Sequence, residues 1–198
     1  MRSVNLEFDK RVPDRCVTVR SIIYRLCHTG SCAGAAEGVK RCVYKVDVKL
    51  INPILISFTD ILPQIGFQHI EKKGLALGRA MVVNPGVMVN IGMVGSIRGA
   101  ILIGMDMEAA KQFASRMMGM EVAELDGIAQ SAISEMGNMV CANACTKYNQ
   151  AGIHGLDISP PTLLIGKDGQ IKLSSAAVIV VNFIADGIPV DLYMGLSQ

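Results

Sequence analysis

Runs rich in Val, Ile, Met and Gly, separated by short turn signals, dominate the chain from residue 75 onward and constrain its fold most. Such runs, bounded by Gly, Pro, Asn or Asp, are typical of β-strands joined by tight turns. We predict successive antiparallel strands, of which the last pair forms a hairpin. The predicted strand regions are 75–83, 87–105, 162–165, 176–184 and 188–195, with turns at Asn84-Pro85-Gly86, Gly95-Ser96, Lys167-Asp168-Gly169 and Ala185-Asp186-Gly187.

Other segments have the period of an α-helix. In residues 48–65 apolar side chains recur every three or four positions, which indicates one face of a helix, and Pro53 falls in its first predicted turn, where proline is tolerated. Asp106 is the predicted N-cap of a second helix, which Gly119 ends. A third, longer helix is predicted over about 124–148.

These elements define an α/β domain of the α+β type, in which long helices cover an antiparallel sheet. Gln64-Ile65-Gly66-Phe67, after the first helix, is echoed by Gln150-Ala151-Gly152-Ile153 after the long one, and a strand follows each. The echo indicates either an internal repeat or only the helix-ending chemistry that glycine supplies.

The composition predicts a single globular domain preceded by a tail. Of the 198 residues 51% are hydrophobic and 18% charged, so enough apolar surface is available for a core. Residues 1–45 have no sustained period and carry the basic excess of the chain, which indicates a disordered tail or a misassigned start, with translation beginning near Val43 or Val46. The domain is assigned to residues 46–198.

Several classes of partner are disfavoured. No basic stripe with interleaved aromatic residues is present, so nucleic acid is not expected. The most apolar runs are shorter than the roughly 20 residues of a membrane span, and Arg20 and Arg25 interrupt any secretory signal. We expect a cytoplasmic protein that does not span a membrane.

The six cysteines show no pattern typical of a metal site. They lie at 16, 27, 32, 42, 141 and 145, without a C-x-x-C pair. Cys27, His28 and Cys32 form a possible but weak cluster, and we assign no metal. Cys141 and Cys145 are expected to pack as small apolar side chains.

A polar face on the long predicted helix is the candidate functional surface. At about 100° per residue, Ser131, Glu135, Asn138 and Ala142 lie within about 60° of one another, and we call them the motif face. The opposite stripe is apolar and should press against the sheet; it contains Ala129, Ile133, Met136, Val140 and Ala144. Taken alone, an exposed Glu and Asn are also ordinary solvated residues.

The pattern Ser131-x-x-x-Glu135-x-x-Asn138, with Pro160 and Pro161 after the helix, resembles the signature of the CheC/CheX/FliY family of chemotaxis response-regulator phosphatases. The resemblance extends over residues 46–198 and is strongest to the CheX branch. It implies a CheC-like fold with internal pseudo-symmetry and a homodimer. CheC-type members carry a second Glu-x-x-Asn on the first helix, where the corresponding stretch of this chain reads Ser57-Phe-Thr-Asp60-Ile, so one site per chain is implied.

The resemblance also implies the chemistry. The substrate is a phosphorylated CheY-type response regulator, which itself holds Mg²⁺, so this chain binds no cofactor. Asn138 orients the attacking water, since an amide both donates and accepts, and Glu135 anchors the active-site lysine of the regulator. Ser131, where the family accepts Asp or Ser, contacts the partner or orients Glu135. His69 and His154, off the motif face, take no part.

A second class of function shares the fold. Flagellar-switch components bind phosphorylated regulators without hydrolysing them, so a binding module or an idle scaffold is the alternative. Exposure of both Glu135 and Asn138 would favour the enzyme, and burial of either would count against it.

Overall fold

The computed structural model describes residues 48–175 and 177–198, and the predicted tail of residues 1–45 lies outside them. The helices of the described part are α1 (Val48–Ile61), continued by a 3-10 helix (Leu62–Ile65), α2 (Met107–Met118) and α3 (Gly127–Gln150). Its strands are β1 (Ile70–Gly78), β2 (Met81–Val83), β3 (Val87–Gly95), β4 (Arg98–Met105), β5 (Leu156–Ile158), β6 (Thr162–Ile165), β7 (Gln170–Lys172), β8 (Val178–Ala185) and β9 (Ile188–Ser197).

The main sheet is antiparallel throughout, as predicted. Its order is β1-β8-β9-β4-β3-β5, and β6 also pairs with β3. The hairpin of β8 and β9 is confirmed, and its turn residues Asp186 and Gly187 both have positive φ, at 49° and 85°. Two left-handed residues give such a turn the twist that matches its strands.

Some strand boundaries differ from the prediction. The run predicted over 75–83 is divided between β1, which begins already at Ile70, and β2, which leaves the main sheet and pairs with β7. The strands β5 and β7 were not predicted, because segments of three residues carry too little pattern. The strand predicted from residue 176 is described from Val178 onward.

The strand pairing has an approximate two-fold repeat. The first half contains α1, β1, β2 and the hairpin β3–β4, and the second contains α3, the pair β5 and β6, β7 and the hairpin β8–β9. In this repeat β1 corresponds to β5 and β6, β2 to β7, β3 to β8, and β4 to β9. The pairing of β1 with β8 therefore corresponds to the pairing of β5 and β6 with β3, while the pairs β4–β9 and β2–β7 each correspond to themselves. The helix α2 connects the halves and has no counterpart among the described residues. The expected internal pseudo-symmetry is therefore present in the topology.

The ends of α1 and α3 give the alignment of the two halves. The N–H of Phe67 donates to the Leu62 carbonyl at 3.1 Å, and the N–H of Ile153 donates to the Tyr148 carbonyl at 2.9 Å. The intervening Gly66 and Gly152 have φ of 101° and 82°. Left-handed glycine ends both helices, so the echoed sequence reflects the repeat and helix-stop chemistry together.

The helix α1 is a core helix of this domain, although its length and composition would also suit a membrane span. Ile54, Phe58 and Leu62 have no exposed surface, and the Phe58 ring lies 4.8 Å from that of Phe183 on β8. The prediction that Pro53 lies in the first turn is wrong, because the described helix already begins at Val48. Proline inside a helix costs a backbone hydrogen bond, here offset by burial of the surrounding apolar face.

The helix α2 begins and ends as predicted. The Asp106 carboxylate accepts the N–H of Ala109 at 2.7 Å, and Gly119 at φ 66° ends the helix. Its Phe113 packs on Phe67, with ring centroids 4.4 Å apart. The core therefore extends from α1 through α2 to the helix face of the sheet.

Candidate functional site

The helix α3 carries the candidate site and is fixed at its beginning by Asp126. One oxygen of this carboxylate accepts the N–H groups of Ile128 at 3.1 Å and Ala129 at 2.9 Å. An acidic N-cap satisfies free backbone donors and favours the positive end of the helix. The helix therefore begins three residues later than predicted and continues to Gln150.

The two predicted faces of α3 are confirmed. The apolar stripe of Ala129, Ile133, Met136, Val140 and Ala144 is buried. On the motif face, Ser131, Glu135 and Ala142 are exposed and Asn138 is half-buried. Glu135 and Asn138 thus lie one turn apart on the outward surface of a helix whose other side is anchored in the core.

Neither Glu135 nor Asn138 has a hydrogen bond or an ion pair with any residue in the described part of the chain. The amide of Asn138 is therefore free in both its donor and its acceptor capacity. The Glu135 carboxylate has no cation from this part of the chain beside it. Both groups are consequently open to an external partner.

Of the two roles predicted for Ser131, the structure does not support the orientation of Glu135 by its hydroxyl. Its hydroxyl donates to the Gly127 carbonyl at 2.8 Å, within α3. A bond to the preceding turn is common for serine in helices and uses its one proton. Ser131 does not orient Glu135 by donating to it, and its role as a partner contact stays a prediction.

A shallow groove of about 350 Å³ runs between the first half of α3 and the segment that leads into β6. We call it the groove, and it is lined by Gly127, Gln130, Ser131, Ser134, Glu135, Pro161 and Leu163. Sequence reasoning missed Gln130, Ser134 and Leu163, since no pattern distinguishes them from other half-buried residues. Asn138 lies one turn beyond the groove on the same face.

Ser159 holds the proline segment at the sheet edge. Its hydroxyl accepts the N–H of Gly92 at 2.9 Å, and its own N–H donates to the Gly92 carbonyl at 2.9 Å. Pro160 and Pro161 follow, and proline suits a sheet edge because it has no N–H to pair. Of the two prolines of the sequence signature, Pro161 lines the groove and faces Glu135 across it.

Gly137 sets how closely α3 lies on the sheet. A Cβ at this position would stand 2.8 Å from Cγ1 of Val89 and 3.0 Å from Cδ1 of Ile91, both on β3. Only glycine fits this approach without displacing these two buried side chains. The predicted motif missed this residue, although a glycine inside a helical pattern is a general signal of close packing.

Other titratable groups on or near α3 are not placed for catalysis. Burial raises the pKa of the Cys141 thiol to about 12, and burial likewise raises the pKa of Cys145. His69 lies 3.6 Å from the Asp186 carboxylate, and His154 lies 3.3 Å from the Asn149 side chain, both off the motif face. In residues 48–175 and 177–198 no group of three His, Cys, Asp or Glu is placed to hold a metal; Cys27, His28 and Cys32 lie outside these ranges.

The repeat identifies which residues of α1 correspond to the site. Aligning Gly66 with Gly152 places Lys49 opposite Glu135 and Asn52 opposite Asn138, with the same exposure at each position. The prediction that the counterpart is the stretch from Ser57 to Ile61 is therefore wrong, and Ser57 itself is buried. The inference of one Glu-Asn pair stands, because α1 carries lysine in place of glutamate.

Comparison with known proteins places this chain in one family. Residues 87–184 match the family described as chemotaxis phosphatase CheX. The CheY-P phosphatase CheX of Thermotoga maritima is 33% identical over 129 residues, which cover 64% of this chain and 82% of that protein.

Solved structures agree with this assignment. A chain of the CheX-CheY-BeF3-Mg²⁺ complex from Borrelia burgdorferi is 25% identical and superposes with a TM-score of 0.67, over 78% of this chain and all of that one. A CheC-like superfamily protein from Shewanella sp. PV-4 has the same fold, with a TM-score of 0.69 at 21% identity over 77% of this chain and all of that one. The chain belongs to the CheX family of chemotaxis phosphatases.

Proposed function

We propose that this chain hydrolyses the aspartyl phosphate of a CheY-type response regulator, with Asn138 orienting the attacking water and Glu135 anchoring the regulator. The observation that carries the proposal is that both side chains project from one outward face of α3 and make no bond within the described chain. The Thermotoga maritima relative is a phosphatase for CheY-P, and the Borrelia burgdorferi relative was solved in a complex with CheY.

Asn138 suits the positioning of a water molecule. Its amide can accept one proton of the water and donate to another acceptor, while it is too weak a base to remove the proton itself. Half-burial limits the rotamers of the side chain, so the water is held in one direction. In phosphoryl transfer, positioning of the nucleophile in line with phosphorus supplies much of the catalysis.

Glu135 suits the recognition of a cation. A charge-assisted hydrogen bond from a lysine of the regulator would align the two proteins at the phosphorylated aspartate. Because Glu135 lies at the groove and one turn from Asn138, the same contact would bring the phosphorus atom toward the Asn138 amide. Glu135 thus serves as an anchor.

Water is the nucleophile in this proposal. Cys141 is buried with a raised pKa, and the Ser131 hydroxyl donates to Gly127, so neither offers an activated nucleophile on the motif face. In this proposal the regulator holds the Mg²⁺, and the solved Borrelia burgdorferi complex of CheX with CheY contains both BeF3 and Mg²⁺. The chain contributes two side chains to a site that the regulator completes.

We place this activity in the cytoplasm, in a homodimer. The strand β1 ends the main sheet, and its outer side has no partner strand among the described residues. An edge nine residues long is a template for pairing with a second chain.

The test follows the decay of a radiolabelled phosphorylated CheY-type regulator with Mg²⁺ present throughout. The wild-type chain should accelerate decay by roughly 10² to 10³, a magnitude within reach of positioning alone. Asn138→Ala should return decay to the spontaneous rate at any regulator concentration. Glu135→Ala should weaken binding of the regulator and thereby lower the rate.

The chain offers a matched control on α1. Asn52→Ala removes the same amide from the position that the repeat aligns with Asn138, with similar exposure. It should leave the rate unchanged. Equal losses from Asn52→Ala and Asn138→Ala would sink the assignment to α3, and a wild type that binds the regulator without hastening its decay would establish the binding module instead.

A further inference from the structure

Ile128 is exposed where the folding of the described chain gives no reason for an isoleucine. Ile128 is 67% exposed, which is the highest exposure of any large apolar residue in the described part of the chain. It lies in the first turn of α3, where the Asp126 carboxylate accepts its N–H and fixes the backbone. Single exposed apolar residues are ordinary on protein surfaces, so the position of Ile128 relative to the site carries the argument.

Ile128 and Glu135 point in the same direction. They are seven residues apart on α3, which in an α-helix separates them by about 20° around the axis and about 10 Å along it. Ser131 lies between them on the same side. Ile128 therefore extends the motif face toward the N-terminal end of the helix.

A protein that binds at Glu135 covers Ile128 as well. A standard interface buries about 800 Å² on each partner, which corresponds to a circle with a radius of about 16 Å. Ile128 falls inside such a circle around Glu135. Pro161 and Leu163, across the groove from Glu135, make the same surface partly apolar.

We propose that Ile128 is an apolar docking contact for the response regulator. This inference depends on the proposed function, because it takes the regulator as the occupant of the motif face. Ile128 packs on an apolar side chain of the regulator beside its phosphorylation site, while Glu135 makes the charged contact. Two contacts about 10 Å apart fix the orientation of the regulator, which one charge pair alone would leave free to rotate.

The location of Ile128 predicts an effect on affinity and none on chemistry. Ten residues separate it from Asn138, which is about 15 Å along the helix, so it cannot touch the reacting atoms. An interaction that is equal in the ground and transition states changes KM and leaves kcat unaltered. Ile128→Ser should therefore raise KM roughly tenfold, as expected for losing the burial of one aliphatic side chain, with kcat unchanged.

The experiment measures KM and kcat for the phosphorylated regulator with Ile128→Ser, Ile128→Leu and Ile56→Ser. Ile128→Leu keeps the apolar surface and should keep the wild-type KM. Ile56 is 39% exposed on α1, which contributes neither to the motif face nor to the groove, so Ile56→Ser should remove the same kind of side chain without effect. An unchanged KM for Ile128→Ser, or an equal rise with Ile56→Ser, would overturn the proposal.

A binding titration separates this inference from the proposed function. The regulator loaded with BeF3 and Mg²⁺ carries a stable mimic of the phosphoryl group, so its Kd for the chain is measured without turnover. Ile128→Ser should raise this Kd about tenfold, whereas Asn138→Ala should change it little. A chain without phosphatase activity that still shows the Ile128 effect would refute the proposed function and keep the docking contact; a Kd insensitive to Ile128 would refute the contact.

Discussion

Gly137 is the residue on which the placement of the motif depends most directly. Gly137→Ala would put a methyl group 2.8 Å from Val89 Cγ1, and both neighbouring side chains are fully buried and unable to move freely. Overpacking costs about 1–3 kcal/mol, against which alanine gains up to about 1 kcal/mol of helix propensity. We expect a lower free energy of unfolding, by about 1 kcal/mol, in urea denaturation, together with reduced activity as α3 is pushed outward.

Gly127→Ala is the matched control for Gly137→Ala. Gly127 is the first residue of the same helix, its φ is not positive, and a Cβ there meets no atom within 4 Å. The free energy of unfolding should be unchanged or rise by up to about 1 kcal/mol, because alanine restricts the unfolded chain. If the two substitutions cost the same, close packing of α3 on β3 does not explain Gly137.

At the level of single residues, the sequence predicts the features that depend on helical period and local chemistry. The face that exposes Glu135, the buried stripe opposite it and the Asp106 cap all depend on neighbours within a turn or two along the chain. The roles of Gly137 and Pro161 depend on strands distant in sequence. The contact of Gly137 with Val89 is decided by which strand the helix crosses, and a helical pattern does not contain that information.

A buried hydrogen bond and an exposed ion pair both join α1 to α3, and their contributions to stability should differ. The Tyr148 hydroxyl donates to the Leu50 carbonyl in the core, whereas Lys147 and Asp60 meet at the surface at 2.8 Å. Tyr148→Phe should lower the free energy of unfolding by about 1 kcal/mol, and Asp60→Asn by less, since exposed ion pairs contribute about 0–1 kcal/mol. Urea denaturation of both variants beside wild type measures the difference, and an equal loss would contradict the contrast between buried and exposed contacts.

The alkaline pH dependence gives an independent check on Tyr148. Burial raises its pKa above the ordinary value of 10.0, so its phenol stays protonated in the folded chain at a pH where the unfolded chain ionises. The stability it contributes is complete below pH 10 and falls as pH rises above this value. In urea denaturation at several pH values, the difference between wild type and Tyr148→Phe should shrink above pH 10; a constant difference would contradict burial of the hydroxyl.

Among the secondary structure elements, length decided what the sequence could predict. The long helix and the paired strands β3, β4, β8 and β9 repeat their periods often enough to be found within a few residues. Strands of three residues give too little signal, and whether β2 stays in the main sheet depends on its pairing with β7. The prediction for Pro53 failed for a similar reason. The local preference of proline favours the first turn of a helix, whereas in the structure burial of the apolar face of α1 stabilises the helix with Pro53 inside it.

The described part of the chain is, apart from α2, a two-fold repeat, and only one of its two halves keeps the Glu-Asn pair. From the sequence, the similar segments that follow α1 and α3 could indicate either a repeat or only the way in which glycine ends a helix. The strand pairing shows that the repeat is real. The same alignment replaces Glu135 by Lys49, which reverses the charge that the proposed lysine contact needs. Fold symmetry and functional asymmetry are thus compatible, because the core needs only the buried positions to repeat, while the outward positions are free to differ.

Both halves of the repeat, the site and the free edge of β1 lie within the described residues, which gives a prediction for the entire chain. A variant that begins at residue 42, leaving residues 42–47 ahead of α1, should keep kcat and KM for the phosphorylated regulator within about twofold, since no proposed contact is removed. Light scattering should give the mass of two copies for both chains, because each retains β1, whose outer side has no partner strand among the described residues. Full-length chain carrying Asn138→Ala serves as the inactive reference. If the shortened chain unfolds cooperatively in urea yet loses activity or becomes a monomer, the first 41 residues contribute to the site or to the interface, and the proposed division of the chain is wrong.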